Sequence, residues 1–183
     1  VILFVGMRRG GRQLYALDVT DPTRPIYLWK RTGAAGDLPV LGQTWSEPRV
    51  AIVQGRGQGN PVIVMGAGYD NAAEDLQAPG TTTMGNAVLV LDALTGGLLR
   101  SFETSRSVPA DVALVDSDYD GFVDRAYAAD VGGNLYRIDF EQPVSNGLRT
   151  DPDGWTLYKI AALGGNTSPV RKFFYAPDAV LSR

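Results

Sequence analysis

Residues 87–92 have the sequence Ala-Val-Leu-Val-Leu-Asp, in which five consecutive apolar side chains are followed by an aspartate. Related stretches occur at 13–18, Gln-Leu-Tyr-Ala-Leu-Asp, and at 134–139, Asn-Leu-Tyr-Arg-Ile-Asp. A short, continuous apolar run is typical of a strand that is buried on both faces, as in a sheet covered on each side. The three stretches therefore predict equivalent strands of an internally repeated β protein.

Further apolar strands surround each of these stretches. Those expected before them are 1–5, 61–66 and 124–129, and those expected after them are 26–30, 98–103 and 155–160. Two units also have an earlier, innermost strand, at 48–54 and 112–116. The repeat is thus a four-stranded antiparallel meander, and Asp18, Asp92 and Asp139 are 74 and 47 residues apart. Repeats of about 40–50 residues with four strands each are typical of β-propeller blades.

The sequence therefore predicts an all-β fold, a β-propeller of which the chain holds about three four-stranded antiparallel blades of an incomplete ring. We treat 1–183 as one partial propeller domain. Its blade remnants are expected at about 1–32, 45–104 and 110–161, with the start of a further strand at about 170–181. Propellers close with roughly four to eight blades. The remaining blades are expected outside this chain, which we interpret as a piece of a longer protein.

The composition excludes several classes of function. The 183 residues include no histidine and no cysteine, which excludes histidine-based catalytic triads, cysteine nucleophiles and zinc sites with thiolate or imidazole ligands. The net charge of −3 provides no basic field for nucleic acid. No apolar run approaches the roughly 20 residues of a membrane span. Any bound metal must therefore be held by oxygen atoms.

The most specific motif is D-S-D-Y-D-G-F-V-D at 116–124, between the first two strands of the third predicted blade. Four carboxylates so close together repel one another unless a cation lies among them. Calcium takes six to eight oxygen ligands, and Gly121 suits the sharp turn of a calcium loop. The predicted calcium ligands are the side chains of Asp116, Asp118, Asp120 and Asp124 and the backbone carbonyl of Phe122. The alternative is a solvated Asp/Gly hairpin without an ion.

Three segments together resemble the β-propeller domain of the PilY/PilC family, proteins associated with type IV pilus tips. They are G-N-A-V-L-V-L-D-A-L-T-G at 85–96, G-A-G-Y-D-N at 66–71, and the stretch from the acidic loop to the third strand at 116–139. The resemblance covers roughly residues 40–140. It implies that the calcium ligands of the family correspond to the five loop positions given above.

The resemblance also implies a function and a location. Family members are secreted to the periplasm, outer membrane and pilus tip at the bacterial surface. They support pilus assembly, control of retraction, twitching motility and surface attachment. The expected partners are pilus components such as minor pilins, and host or abiotic surfaces. The expected role is non-enzymatic, with calcium as the only cofactor and with no catalytic residues.

Two other classes of propeller stay open as alternatives. The Leu-Asp-x-x-Thr-Gly pattern at 91–96 is also similar to the propeller blades of quinoprotein dehydrogenases, which bind pyrroloquinoline quinone and calcium. No tryptophan docking motif recurs from blade to blade, however, since Leu99 lies where a counterpart of Trp29 is expected. Integrin-like adhesion propellers use similar acidic hairpins several times over, and this sequence has one.

Overall fold

The computed structural model describes residues 1–34, 36–76, 80–165 and 171–180, which form three main antiparallel sheets. The first sheet contains β1 (Ile2–Gly6), β2 (Gln13–Asp18) and β3 (Ile26–Thr32). The second contains β4 (Arg49–Ala51), β5 (Val62–Gly66), β6 (Ala87–Asp92) and β7 (Leu98–Glu103). The third contains β8 (Ala113–Val115), β9 (Arg125–Ala129), β10 (Asn134–Asp139) and β13 (Thr156–Ala162).

Within each of these sheets, strands pair with their neighbours in chain order, and β10 pairs with β13 although a small hairpin lies between them in the sequence. This hairpin consists of β11 (Gln142–Val144) and β12 (Gly147–Arg149), and a 3-10 turn at Pro152–Gly154 follows it. A single short helix, α1 (Asn71–Glu74), lies between β5 and β6 in the described part of the chain. The predicted all-β fold of antiparallel meanders is confirmed.

The end of the described chain differs from expectation. Residues 171–180 form no strand, whereas the sequence predicts the start of a further strand at about 170–181. Positions 170 and 181 lie outside the described residues. The segment contains Pro177, which lacks a backbone N–H, and no described strand pairs with it.

Strand β6 of the second sheet is buried on both faces because its successive side chains enter different cores. Val88 and Val90 belong to the core shared with the third sheet, whereas Leu89 and Leu91 belong to the core shared with the first. All four side chains are completely buried. The continuous apolar run in the sequence therefore reflects a strand enclosed by two sheets.

Two of the recurring aspartates, Asp92 at the end of β6 and Asp18 at the end of β2, stabilise the turn that follows the strand. The Asp92 carboxylate accepts backbone hydrogen bonds from Leu94 and Thr95, at 3.0 and 2.9 Å, and an ion pair from Arg56 at 2.6 Å. Burial raises the pKa of Asp92, but the hydrogen bonds from Thr95 and the charge of Arg56 hold it below its ordinary value. Asp18 accepts a similar backbone bond from Thr20 at 2.9 Å.

The turn after Asp92 also joins the first two sheets. The Trp29 indole of β3 donates a hydrogen bond to the Ala93 carbonyl at 3.3 Å. Gly96 has a φ of +71°, and a Cβ atom there would lie 2.7 Å from the Trp29 ring. Glycine is needed here because the backbone is left-handed and the ring packs directly against it.

The segment between β5 and β6 is tied to the chain that precedes the third sheet. Asp70 caps α1 by accepting the Ala73 backbone N–H at 3.2 Å. Glu74 is 1% exposed, and its carboxylate pairs with the Arg106 guanidinium at 2.8 Å. A buried carboxylate needs such a partner, so this ion pair fixes the segment against the neighbouring sheet.

Candidate metal centre

The acidic loop 116–124 connects β8 with β9 at one end of the third sheet. Two backbone hydrogen bonds anchor the end of the loop. The Asp124 backbone N–H donates to the Val115 carbonyl at 3.0 Å, which closes the loop on itself. The Val123 N–H donates to the Ile52 carbonyl at 2.8 Å, which attaches the loop to the chain after β4 in the second sheet. The loop therefore has a fixed base that spans two sheets.

Inside the loop, backbone N–H groups point at the aspartate side chains. Gly121 donates to Asp116 at 2.9 Å, Asp120 to Asp118 at 3.2 Å, and Phe122 to Asp120 at 2.8 Å. Tyr119 and Gly121 have φ values of +63° and +91°, which provide the sharp bends of the loop. These bonds curl the chain around its own carboxylates.

As a result, three of the predicted ligands come together. One carboxylate oxygen from each of Asp116, Asp118 and Asp120 lies within 4.8 Å of the others. Asp118 and Asp120 are exposed, and Asp116 is half-buried. Asp116 Oδ1 is inaccessible to solvent and has no hydrogen-bond partner among the described residues. A buried anionic oxygen without a partner is costly, and the donor set fits a hard cation that prefers oxygen ligands.

The other two predicted ligands are placed differently. Asp124 is 6% exposed, and its carboxylate is hydrogen-bonded to Ser117, at 2.6 Å from the backbone nitrogen and also by the hydroxyl group. Asp124 is therefore outside the group of three clustered carboxylates. The Phe122 backbone N–H donates to Asp120, and binding of calcium by the Phe122 carbonyl stays a prediction.

One charged neighbour of the loop was not predicted from the sequence. Burial raises the pKa of the Glu141 carboxyl group, and the negative charges of Asp124, Asp118 and Asp120 raise it further, whereas Arg125 lowers it. Glu141 follows β10, far from the loop in sequence, and no motif connects the two. Only the pairing of β9 with β10 brings them together.

Three antiparallel sheets that share two apolar cores through their faces are the architecture of a β-propeller. The family model of the PilY1 beta-propeller domain matches residues 1–162. The chain therefore belongs to the PilY1 β-propeller family, and the resemblance noted in the sequence is confirmed.

Individual relatives agree with this assignment. The chain is 35% identical over 143 residues to the type IV pilus biogenesis factor PilY1 of Pseudomonas aeruginosa strain PAO1, covering 75% of this chain and 11% of that protein. It is 33% identical over 141 residues to a PilY1 homolog of Xylella fastidiosa, covering 76% of this chain and 10% of that protein. The chain thus spans about a tenth of the length of these curated relatives.

A solved structure is also similar. The crystal structure of the Pseudomonas aeruginosa PilY1 C-terminal domain superimposes with a TM-score of 0.76 at 28% sequence identity. The match covers 98% of this chain and 37% of that domain. Among the described residues, no helix is long and apolar enough to span a membrane.

Proposed function

We propose that this chain is a calcium-binding part of the propeller of a type IV pilus biogenesis factor. In the whole protein, its role is to support pilus assembly, control of retraction, twitching motility and surface attachment. The role is non-enzymatic and depends on binding to pilus components such as minor pilins, and to host or abiotic surfaces, at the outer membrane and pilus tip. Membership of the PilY1 family and the printed names of its relatives support this proposal.

The observation that supports calcium is the group of three carboxylates, with its buried and unpartnered Asp116 oxygen. Asp116, Asp118 and Asp120 would hold the ion, together with the Phe122 carbonyl and the Asp124 side chain. The ion would supply positive charge to carboxylates that otherwise repel one another. Binding to the folded state alone stabilises a protein by about 2.7 kcal/mol when free calcium is 100 times its dissociation constant.

Calorimetric titration tests the calcium site. Calcium is added to the chelator-treated protein with magnesium in excess, and the result is compared with Asp120→Ala. Asp153→Ala is a matched control, because Asp153 is an exposed aspartate in another turn. We expect one-to-one binding in the parent and the control and its loss in Asp120→Ala. Absence of calcium binding by the parent would reduce the loop to an acidic turn.

The pilus role is tested in the whole protein in its bacterial host. The Asp120→Ala and Asp153→Ala substitutions are introduced separately, and protein levels are matched by immunoblot. Surface pili and twitching are measured with and without the retraction motor. We expect surface pili and twitching to change in Asp120→Ala and not in Asp153→Ala. Recovery of surface pili in Asp120→Ala when the retraction motor is removed would assign the ion to retraction control. Normal piliation and twitching in Asp120→Ala would contradict the role of calcium.

A further inference from the structure

The chain returns to the acidic loop immediately after β10. The Phe140 backbone N–H donates to the Asp124 carbonyl at 2.8 Å. The Phe140 ring is fully buried and meets the Trp155 ring edge to face at 5.2 Å. The backbone at 140 is therefore fixed against the last residue of the loop, and the next residue, Glu141, starts from a defined position.

The Glu141 side chain lies near Asp124, at the end of the acidic loop. Glu141 and Asp124 both line a hollow of about 300 Å³. Glu141 is half-buried, and the negative charges of the loop aspartates act on it. Glu141 is outside the group of three clustered carboxylates, and so it is not placed as a further member of that group.

We propose that Glu141 is an affinity-determining residue of the calcium site, which acts on the bound ion from the connection between β10 and β11. This inference rests on the calcium site proposed above and adds a residue that the nine-residue loop does not contain. Glu141 acts through its charge, across the hollow that it shares with Asp124, and not as one of the clustered ligands.

The charges around the hollow determine the direction of the effect. A negative charge near the site attracts a cation, and calcium affinity in oxygen-ligand loops depends on the number of charged groups. Arg125 opposes this effect, because it is a cation lining the same hollow and it lowers the pKa of Glu141. Arg137 lines the hollow as well, and Asp139 lies 2.8 Å from Arg137 and 3.8 Å from Arg125, so it offsets part of both positive charges. Glu141 therefore makes the site more negative than the loop alone.

The experiment compares binding of calcium and of terbium(III) to the parent, to Glu141→Gln and to Glu103→Gln. Glu103 is exposed at the end of β7 and serves as the matched control. We expect Glu141→Gln to weaken calcium binding roughly three- to tenfold, and the control to stay within about twofold of the parent. If Glu141→Gln acted by changing the loop structure, the loss of affinity would not depend on the charge of the ion. An electrostatic effect, in contrast, increases with that charge. The loss for terbium is therefore expected to be larger, roughly five- to thirtyfold.

Ionic strength provides a second readout. The difference between parent and Glu141→Gln is expected to shrink from low to high salt, because screening weakens interactions between separated charges. Arg125→Gln is expected to have the opposite effect and to strengthen calcium binding. If the parent binds calcium but Glu141→Gln matches it at low salt, the assignment of Glu141 is wrong and the loop site stands. If the parent binds neither ion, the calcium site is wrong and the assignment of Glu141 with it.

Discussion

Asp124 Oδ2 accepts the backbone N–H of Ser117 with 2.6 Å between oxygen and nitrogen, so the last aspartate of the acidic loop is hydrogen-bonded to its second residue. The Ser117 hydroxyl donates to the same oxygen. Asp116, Asp118 and Asp120, in contrast, place carboxylate oxygens next to one another. The aspartates of the motif therefore have different roles in the loop, because one stabilises its base and three concentrate negative charge.

This difference predicts unequal effects of the two substitutions on stability without calcium. In excess chelator, Asp124→Ala is expected to lower the free energy of unfolding by about 1–3 kcal/mol, because it leaves the Ser117 donors without their acceptor. Asp120 is exposed, and Asp120→Ala is expected to change the free energy by no more than about 0.5 kcal/mol. Urea denaturation in chelator measures both values. Equal losses in the two variants would show that Asp124 has no separate structural role.

The double burial of β6 predicts a large cost for truncation there. Leu89 is completely buried, and Leu89→Ala is expected to lower the free energy of unfolding by about 2–5 kcal/mol through lost contacts and a residual cavity. Leu94, in the turn that follows, is 45% exposed, and Leu94→Ala is expected to cost no more than about 0.5 kcal/mol. Denaturant unfolding of both variants checks this contrast. A cost below about 1 kcal/mol for Leu89→Ala would contradict the packing described for β6.

Close contact between β5 and the connection from β7 to β8 predicts that Gly66 cannot be replaced. A Cβ atom at Gly66 would lie 2.1 Å from the Val108 carbonyl oxygen, which belongs to the backbone and cannot rotate away. Gly66→Ala is therefore expected to lower the free energy of unfolding by about 1–3 kcal/mol. Gly59→Ala is the control, because no atom lies within 4 Å of a Cβ there and its φ is not left-handed.

The control is expected to be neutral or to stabilise the protein by up to about 1 kcal/mol, since alanine restricts the unfolded chain. Thermal unfolding of the two variants under the same conditions separates them. A Gly66→Ala variant as stable as Gly59→Ala would show that β5 and the connection from β7 to β8 do not approach so closely.

Asp92 predicts part of the acid sensitivity of the fold. Its pKa is lower in the folded protein than its ordinary value, so the folded state favours the charged form. Its contribution to stability is present above the ordinary pKa near 4 and is lost as pH falls through the folded pKa. Asp92→Asn is expected to lower the free energy of unfolding by about 1–2 kcal/mol at pH 7, because it weakens the Arg56 pair and the turn hydrogen bonds.

Urea denaturation between pH 3 and pH 7 provides the measurement. The parent and Asp92→Asn are expected to converge in stability toward the acidic end, because protonation removes the charge that the substitution removes. A constant difference across this range would mean that the Asp92 charge makes no contribution to the turn.

The repeated strands were predictable because local sequence determines them. The apolar run of β6 and the aspartate after it correspond directly to burial on two faces and to a capped turn. The hairpin of β11 and β12 was missed because each strand has three residues, too few for a periodic pattern. The helix α1, with four residues, is also too short for a periodic pattern.

Within the candidate site, the sequence indicated the clustered aspartates but not their surroundings. The proximity of Asp116, Asp118 and Asp120 follows from their spacing in one tight loop. The engagement of Asp124 by Ser117 depends on how the loop closes, which the spacing of the motif does not specify. The position of Glu141 depends on strand pairing between β9 and β10, which a local motif cannot report.

The division of β6 side chains between two cores also determines how the fold responds to a pulling force. Separating the second sheet from one neighbouring sheet exposes one of its apolar faces to water, while the core on the other face stays buried. Extracting β6 removes Val88 and Val90 from one core and Leu89 and Leu91 from the other in the same movement. It also breaks the ladders to both β5 and β7. Mechanical resistance is therefore concentrated in this strand, and under load the peripheral strands of the sheets are expected to detach before it.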